Sequence, residues 1–143
     1  LSDNQILLSK LPEDSILTPH MKEFDRIFGE HASWWQRVQT AKAQAQALKI
    51  VIILKNQYTF ICLPTGKVYI NPTGNPAMAQ GGMGDILTGV VAAFLAQEYS
   101  SADAPILATF VHGLSGDVLS KSKAVVTASE VAKNMGDILK SLQ

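Results

Sequence analysis

A glycine-rich loop is the segment of this 143-residue chain whose residue types point most directly to chemistry. Gly81, Gly82 and Gly84 lie where a long loop, 71–84, runs into an apolar helical stretch, and Asp85 follows them directly. Glycines at such a step let backbone N–H groups point outward, and the positive end of the next helix also favours an anion. A phosphate could bind there, with the Asp85 carboxylate beside it to accept a proton from a hydroxyl. On spacing alone, a plain glycine turn explains the segment equally well.

Two further segments place polar residues where a predicted strand ends. His20 follows the strand expected at 15–18, and Glu23 lies three residues later on a first helical turn, so both side chains can face one ligand. Lys55 follows the apolar run 50–54, a position suited to a phosphate contact. The alternatives are a capping or solvent-exposed His20, and a Lys55 whose aliphatic stem covers the strand end.

The other reactive residues favour structural roles. We expect His112 to be a core histidine and its neighbours Gly113 and Gly116 to allow close helix packing. Cys62, in an apolar segment, is expected to be a buried thiol and not a nucleophile. The sequence has no Cys/His cluster with metal-ligand spacing, no Walker A motif and no nucleophile elbow, which argues against structural zinc, P-loop ATPases and α/β-hydrolases.

Composition indicates one soluble globular domain, residues 1–143. The chain has 12 Lys+Arg against 12 Asp+Glu and no basic run, so neither nucleic acid nor an anionic membrane is an expected partner. Its longest apolar stretch, 90–96, is far shorter than the roughly 20 residues that span a bilayer. A single Cys and no targeting segment favour a cytoplasmic setting, and a start at Leu1 suggests a fragment or a processed product.

The elements that position these residues follow from apolar spacing and cap signals. Helices are predicted over 2–11, behind the caps Ser2 and Asp3, from Phe24 to Phe28, and over 34–48, 86–97, 105–119 and 127 onward. Strands are predicted over 15–18, 50–54, 58–63 and 67–70. Strands come first and helices finish the chain, as in a single α/β domain with a mixed sheet. Trp34 and Trp35 cannot share one helix face, so at least one should lie at an interface or at the edge of the core.

Together these motifs resemble a known family. They are Thr18-Pro19-His20 with Glu23, Lys55 with Thr59, the block Asn-Pro-Thr-Gly-Asn-Pro at 71–76, Gly-Met-Gly-Asp at 82–85, and His112-Gly113 with Gly116-Asp117. In order and spacing they are similar to the ADP/ATP-dependent NAD(P)H-hydrate dehydratases, in the ribokinase-like superfamily. The block at 71–76 followed by Gly-x-Gly-Asp is specific to that family, whereas Gly-x-Gly-Asp alone indicates only the superfamily.

The resemblance implies a ribokinase-like three-layer α/β fold with a mixed central sheet. Domains of the family are roughly twice as long as this chain, and their first half supplies early parallel strands and a substrate loop. We therefore expect this chain to be the C-terminal half of such a domain, inactive alone.

The activity that the resemblance implies is that of a hydro-lyase, which removes water from the hydrated ring of NADHX or NADPHX with ADP or ATP as co-substrate and Mg²⁺ completing the charge balance. His20 and Asp85 would contact the hydrated cofactor, with Asp85 as the base, and phosphorylation would make the ring hydroxyl a better leaving group. The nucleotide would be held by Lys55, Asn56, Gln57, Tyr58, Thr59, Gly82, Met83 and Gly84. The resemblance also implies a homo-oligomer.

The chain departs from the family pattern at three positions. Met21 replaces a rigid proline next to His20. Asn56 replaces glycine, and because Asn tolerates a left-handed backbone we expect it to keep the turn after Lys55. Met83 replaces a small residue, and an anion nest would use its N–H and not its side chain.

Two other functions remain open. A ribokinase-like kinase acting on a vitamin or sugar hydroxyl would keep 82–85 but does not predict the block at 71–76 or Thr18-Pro19-His20. A non-catalytic binding or assembly fragment would bind no ADP.

Overall fold

The computed structural model describes residues 5–143, and their side chains from residue 7 onward. The helix caps predicted at Ser2 and Asp3 lie outside the described residues. The chain divides after Ile70 into two compact units, here called unit 1 (up to Ile70) and unit 2 (from Asn71). The single domain expected from composition stays a prediction.

Unit 1 carries a mixed four-stranded sheet, which confirms the predicted α/β class. Its elements in chain order are α1 (Gln5–Leu8), β1 (Ile16–Leu17), α2 (Met21–Phe28), α3 (Trp34–Leu48), β2 (Val51–Leu54), β3 (Thr59–Cys62) and β4 (Val68–Asn71), the last ending one residue past the boundary. The strand order is β1-β2-β3-β4, with β1 parallel to β2 and β2 antiparallel to β3. All four residues of β2 are buried, as its β-branched run predicts.

Helix α3 covers β2 and β3 with a narrow face of small residues. Val38, Ala41 and Ala45 recur at helical spacing and are buried with the strand residues in one core. The helix begins where the Ser33 side chain accepts the Gln36 N–H (3.2 Å), and it ends at Lys49, whose backbone is left-handed (φ 54°). Both predicted ends of this helix are confirmed.

The two tryptophans stand at the start of α3. Trp34 stacks on Phe60 at 5.9 Å between ring centroids, and it also meets Trp35 edge-on. Both indoles remain half-exposed, so Trp34 lies at the edge of the core, as expected for at least one of the pair.

A polar network joins α2 to α3. Arg37 donates to Asp25 through Nε (2.9 Å to Oδ1) and Nη2 (2.5 Å to Oδ2). His31 lies between Asp25 and Thr40, with 2.9 Å from Nδ1 to Oδ1 and 2.9 Å from Nε2 to Oγ1. The Arg37 guanidinium holds the pKa of the Asp25 carboxyl below its usual range.

Unit 2 is helical. It contains α4 (Met83–Ala96), α5 (Asp103–Ser120) and α6 (Ala128–Ser141), preceded by one 3-10 turn, Pro76–Met78, inside the predicted loop. The three helices pack on one another, with Met78, Met83, Val126 and Val131 buried in one cluster. The capping box predicted at the start of the last helix is confirmed, because the side chains of Thr127 and Glu130 each accept the other's backbone N–H. None of the helices in residues 5–143 is long and apolar enough to cross a membrane.

Candidate functional site

In unit 1 the ends of two parallel strands bring His20 and Lys55 together. Since β1 and β2 run in the same direction, both end at one edge of the sheet, where ligands bind in open α/β sheets. His20 and Lys55 form a parallel bridge, and the Lys55 N–H donates to Pro19 O at 3.0 Å. The two residues that the sequence singled out after different strands are therefore backbone neighbours.

His20 also caps helix α2, together with Glu23. The His20 Nδ1 atom accepts the Glu23 backbone N–H (3.2 Å), and Glu23 Oε2 accepts the His20 backbone N–H (2.8 Å). The capping interpretation is confirmed for His20, and its side chain is at the same time about half-exposed (52%). One residue thus closes the helix and presents an imidazole to solvent.

The turn that follows Lys55 is an open segment. Asn56, Gln57 and Tyr58 are exposed, whereas Lys55 and Thr59 are partly buried. The chain bends over residues 56–58, as expected, but Asn56 is not among the residues with positive φ, so the left-handed tolerance of Asn is not used there. Within residues 5–143, left-handed non-glycine backbone occurs at Asp14, Lys49 and Glu98 instead.

In unit 2 the glycine-rich loop ends as an open helix N-terminus. Gly82 is the N-cap of α4 with φ 83°, a left-handed conformation that glycine adopts without strain, and no side chain caps the helix there. The Ile86 N–H reaches Gly82 O at 3.1 Å, which leaves the N–H groups of Met83, Gly84 and Asp85 at the open end. This is the arrangement of an anion site at a helix start.

Met83 and Asp85 point in different directions from that helix start. The Met83 side chain is buried in the core cluster of unit 2, so its replacement of a small residue leaves the N–H end uncovered. Asp85 is exposed on the first turn, where the helix dipole favours a carboxylate. Among residues 7–143 no side chain pairs with it.

The loop before the helix is tied to α5 by side chains whose role was not predicted from the sequence. Asn71 Nδ2 donates to Thr109 O (3.2 Å), and Thr73 Oγ1 donates to Phe110 O (2.9 Å). Asp117 accepts from both the Gly74 N–H (3.0 Å) and Asn75 Nδ2 (2.6 Å). The block at 71–76 therefore fixes the path of the loop, and the signal for it was its run of Asn and Thr beside Pro.

Two glycines of α5 allow the same loop to pack closely against the helix. A β-carbon on Gly113 would stand 2.6 Å from the carbonyl carbon of Thr73, and one on Gly116 would stand 2.0 Å from Met78 Sδ. The predicted close packing is present, but the partner is the loop 73–78 and not another helix. His112 is buried, in line with the core role expected of it.

Two other kinds of chemistry find no support in residues 5–143. Cys62 is fully buried, and burial raises the pKa of its thiol to about 11, which keeps the thiol protonated at neutral pH. The described part of the chain holds no group of three or more His, Cys, Asp or Glu residues that could bind a metal ion. Mg²⁺ bound with a nucleotide needs only one or two carboxylates beside the phosphate oxygens and water.

Comparison with known proteins finds a matching family model and similar curated proteins. The family model of the NAD(P)H-hydrate dehydratases matches residues 1–137. The bifunctional NAD(P)H-hydrate repair enzyme Nnr of Moorella thermoacetica is 38% identical over 126 residues, which are 87% of this chain and 23% of that protein.

Solved structures of the same family and superfamily are also similar to this chain. The ADP/ATP-dependent NAD(P)H-hydrate dehydratase from Bacillus subtilis, co-crystallised with ATP/Mg²⁺, superposes with a TM-score of 0.83 at 35% identity, over 90% of this chain and 48% of that one. A ribokinase-like superfamily protein from Enterococcus faecalis gives a TM-score of 0.79 at 31% identity, over 95% and 49%. The fold is ribokinase-like, and the chain spans about a quarter to a half of the relatives it matches.

Proposed function

This chain belongs to the NAD(P)H-hydrate dehydratase family, and on that premise we propose that the whole protein is a lyase that dehydrates NADHX or NADPHX, with ADP or ATP as co-substrate. The observation that carries the proposal is the start of α4. There an uncapped set of N–H groups behind the left-handed Gly82 adjoins the exposed carboxylate of Asp85. A phosphate site and a base stand within one helical turn.

The nucleotide phosphates bind at two places in this proposal. The N–H groups of Gly82–Gly84 bind phosphate oxygens, with the positive end of α4 behind them. The turn from Lys55 to Thr59 supplies an ammonium group and an exposed stretch of backbone after β2. The family match and the local geometry of each unit support both assignments.

Asp85 acts as the base toward the hydrated ring. Its carboxylate takes the proton of the ring hydroxyl as that oxygen attacks the terminal phosphorus of the nucleotide. The P–O bond to the remaining nucleotide breaks. The ring C–O bond of the new phosphate ester then breaks, and inorganic phosphate leaves with the bonding electron pair. Loss of a ring proton restores the dihydronicotinamide. His20 holds the substrate at the sheet edge of unit 1 during these steps.

A chimera tests the activity. In the B. subtilis dehydratase, the segment that this chain matches is replaced by the chain, and recovery of dihydronicotinamide absorbance from NADHX is followed with and without ADP. Recovery that depends on ADP supports the proposal. Nucleotide hydrolysis without recovery would favour the kinase instead.

A pair of glycine variants tests the phosphate site directly in the 143-residue chain. Gly82→Ala forces a side chain into a left-handed backbone and should weaken ADP binding, measured by titration calorimetry. Gly136→Ala, on α6 with no atom within 4 Å of the added carbon, is the matched control and should bind ADP as the parent chain does. A parent chain that binds no ADP at millimolar concentration would favour the non-catalytic alternative.

The setting of the protein completes the proposal. We propose a cytoplasmic enzyme and a homo-oligomer, with small molecules and neither nucleic acid nor membrane as partners. The equal numbers of acidic and basic residues support the exclusion of nucleic acid.

A further inference from the structure

We propose that Glu23 is a positioning residue that fixes the tautomer of the His20 imidazole with the proton on Nε2, so that His20 meets its ligand as a hydrogen-bond donor and not as a base. The statement about the ligand rests on the proposed function, which puts His20 in contact with the hydrated nicotinamide nucleotide. The statement about the imidazole rests on geometry within unit 1 alone.

The backbone at His20 is fixed on both sides. Before it, Pro19 O accepts the Lys55 N–H, and His20 itself bridges to Lys55 across the strand ends. After it, helix α2 begins, with His20 as an extended N-cap (φ −79°, ψ 171°) whose carbonyl accepts the Phe24 N–H at 2.9 Å. The imidazole therefore projects from a fixed point.

The ring is oriented through Nδ1. This atom lies 3.2 Å from the Glu23 backbone nitrogen, whose N–H can only donate a hydrogen bond. An imidazole nitrogen accepts a hydrogen bond only through a free lone pair, so Nδ1 carries no proton and the neutral ring has its proton on Nε2.

The Glu23 carboxylate reinforces both features. Its Oε2 accepts the His20 backbone N–H at 2.8 Å and thereby closes the capping box. Its Oε1 lies 3.3 Å from Nε2, where a negative charge favours the N–H form. Both side chains are about half-exposed (52% and 47%), so a ligand can reach the Nε2–H from solvent.

The consequence is a restriction on the ligand. A ligand atom that meets Nε2 must be a hydrogen-bond acceptor, such as a phosphate or carbonyl oxygen, because Nε2 already carries a proton. His20 cannot remove a proton from the substrate through that atom. The base must be another group, which agrees with the proposed role of Asp85.

Nitrogen-15 NMR of the histidine side chains in the full chain tests the orientation. The resonances of His20 are assigned with His20→Asn, which keeps a good N-cap acceptor but lacks the Nε2 donor. We expect the Nε2–H form in the parent chain, mixed forms in Glu23→Ala, and no change in Glu30→Gln, an exposed carboxylate just past the end of α2. A predominant Nδ1–H form in the parent chain, or an unchanged His20 in Glu23→Ala, would overturn the proposal.

NADHX added to the same samples tests the ligand. We expect it to shift the His20 Nε2 resonance in the parent chain and to bind about tenfold more weakly to Glu23→Ala and to His20→Asn, which corresponds to the loss of one hydrogen bond. Melting of His20→Asn at the parent temperature shows that the cap is intact. A shift of the Gly84 backbone amide without a shift at His20 would overturn the inference and leave the proposed function standing. No shift at any resonance would count against both the proposed function and the statement about the ligand. The tautomer result would be unaffected.

Discussion

The backbone of α5 at Gly113 lies so close to Thr73 that a β-carbon on the glycine would stand 2.2 Å from the threonine hydroxyl oxygen. The same carbon would also stand 2.8 Å from the Gly74 nitrogen, a backbone atom that cannot turn away. The loop that leads to the start of α4 therefore packs on α5 at a position where a residue with a side chain would not fit.

Alanine substitutions at three glycines of unit 2 should change the free energy of unfolding to different extents. Gly113→Ala should destabilise the protein by about 3 kcal/mol, the upper range for overpacking, because backbone atoms must move. Gly116→Ala should have a smaller effect, since its contacts are with the flexible side chain of Met78. Gly89→Ala, on α4 with open space around it, should stabilise by up to about 1 kcal/mol. Urea unfolding measures all three, and equal effects of Gly113→Ala and Gly116→Ala would contradict the backbone clash.

The ion pair between Asp25 and Arg37 should make the stability of the fold depend on pH in the acid range. Arg37 lowers the pKa of Asp25 from its usual 3.8, so the ionised carboxylate stabilises the folded state above that pH, and the contribution disappears as the pH falls through the lowered value. Asp25→Asn should destabilise by about 2 kcal/mol at neutral pH and by clearly less near pH 3.

Unfolding in urea at both pH values checks this expectation. Asp137→Asn, which removes an exposed carboxylate from α6, is the control and should change stability little at either pH. A difference between Asp25→Asn and the parent chain that is the same at both pH values would show that the carboxylate charge is irrelevant.

Cys62 should be inert in the folded protein. Its thiol is buried in the core of unit 1, and burial raises its pKa to about 11, so almost no thiolate exists at neutral pH. A thiol reagent such as dithionitrobenzoate should leave the native chain unlabelled over hours and react completely once the chain is unfolded in guanidinium. Rapid labelling of one thiol per native chain would mean that this core opens readily.

Asp85→Asn should abolish turnover of NADHX without weakening the binding of ADP. In the chimera with the B. subtilis dehydratase the variant should lose NADHX turnover, because an amide cannot take the hydroxyl proton, while the chain should keep nearly its full affinity for ADP. Asp103→Asn is the control that removes a carboxylate from the first turn of another helix, α5, where Asp103 Oδ2 also accepts the Ser100 hydroxyl at 2.7 Å. The loss of the helix-end charge is worth about 0.3–1 kcal/mol. A loss of ADP affinity as large as the loss of rate would remove Asp85 from the role of base.

The elements of unit 1 were predictable because their signals are local. The Ala- and Gln-rich stretch of α3 and the β-branched run of β2 specify their own structure. The start of α4 was not found: the prediction began at Ile86, three residues late, because the helix is capped by a left-handed glycine and no Ser, Thr or Asp marks its start.

The site was predictable residue by residue but not as an arrangement. That His20 and Lys55 each follow a strand can be read from the chain, whereas their pairing depends on β1 lying parallel beside β2, a long-range choice that no local pattern encodes. The role of Glu23 followed from neither composition nor spacing alone, because a carboxylate three residues after His20 can face a ligand or the helix cap.

Both tryptophans of the chain, Trp34 and Trp35, lie in unit 1, and unit 2 has Tyr99 as its largest aromatic residue. Indole fluorescence excited at its red edge therefore reports on unit 1 alone. Far-ultraviolet circular dichroism instead follows mainly the three long helices of unit 2. Comparing the two signals in one denaturation experiment reveals whether the halves of the chain unfold together, with no label and no substitution.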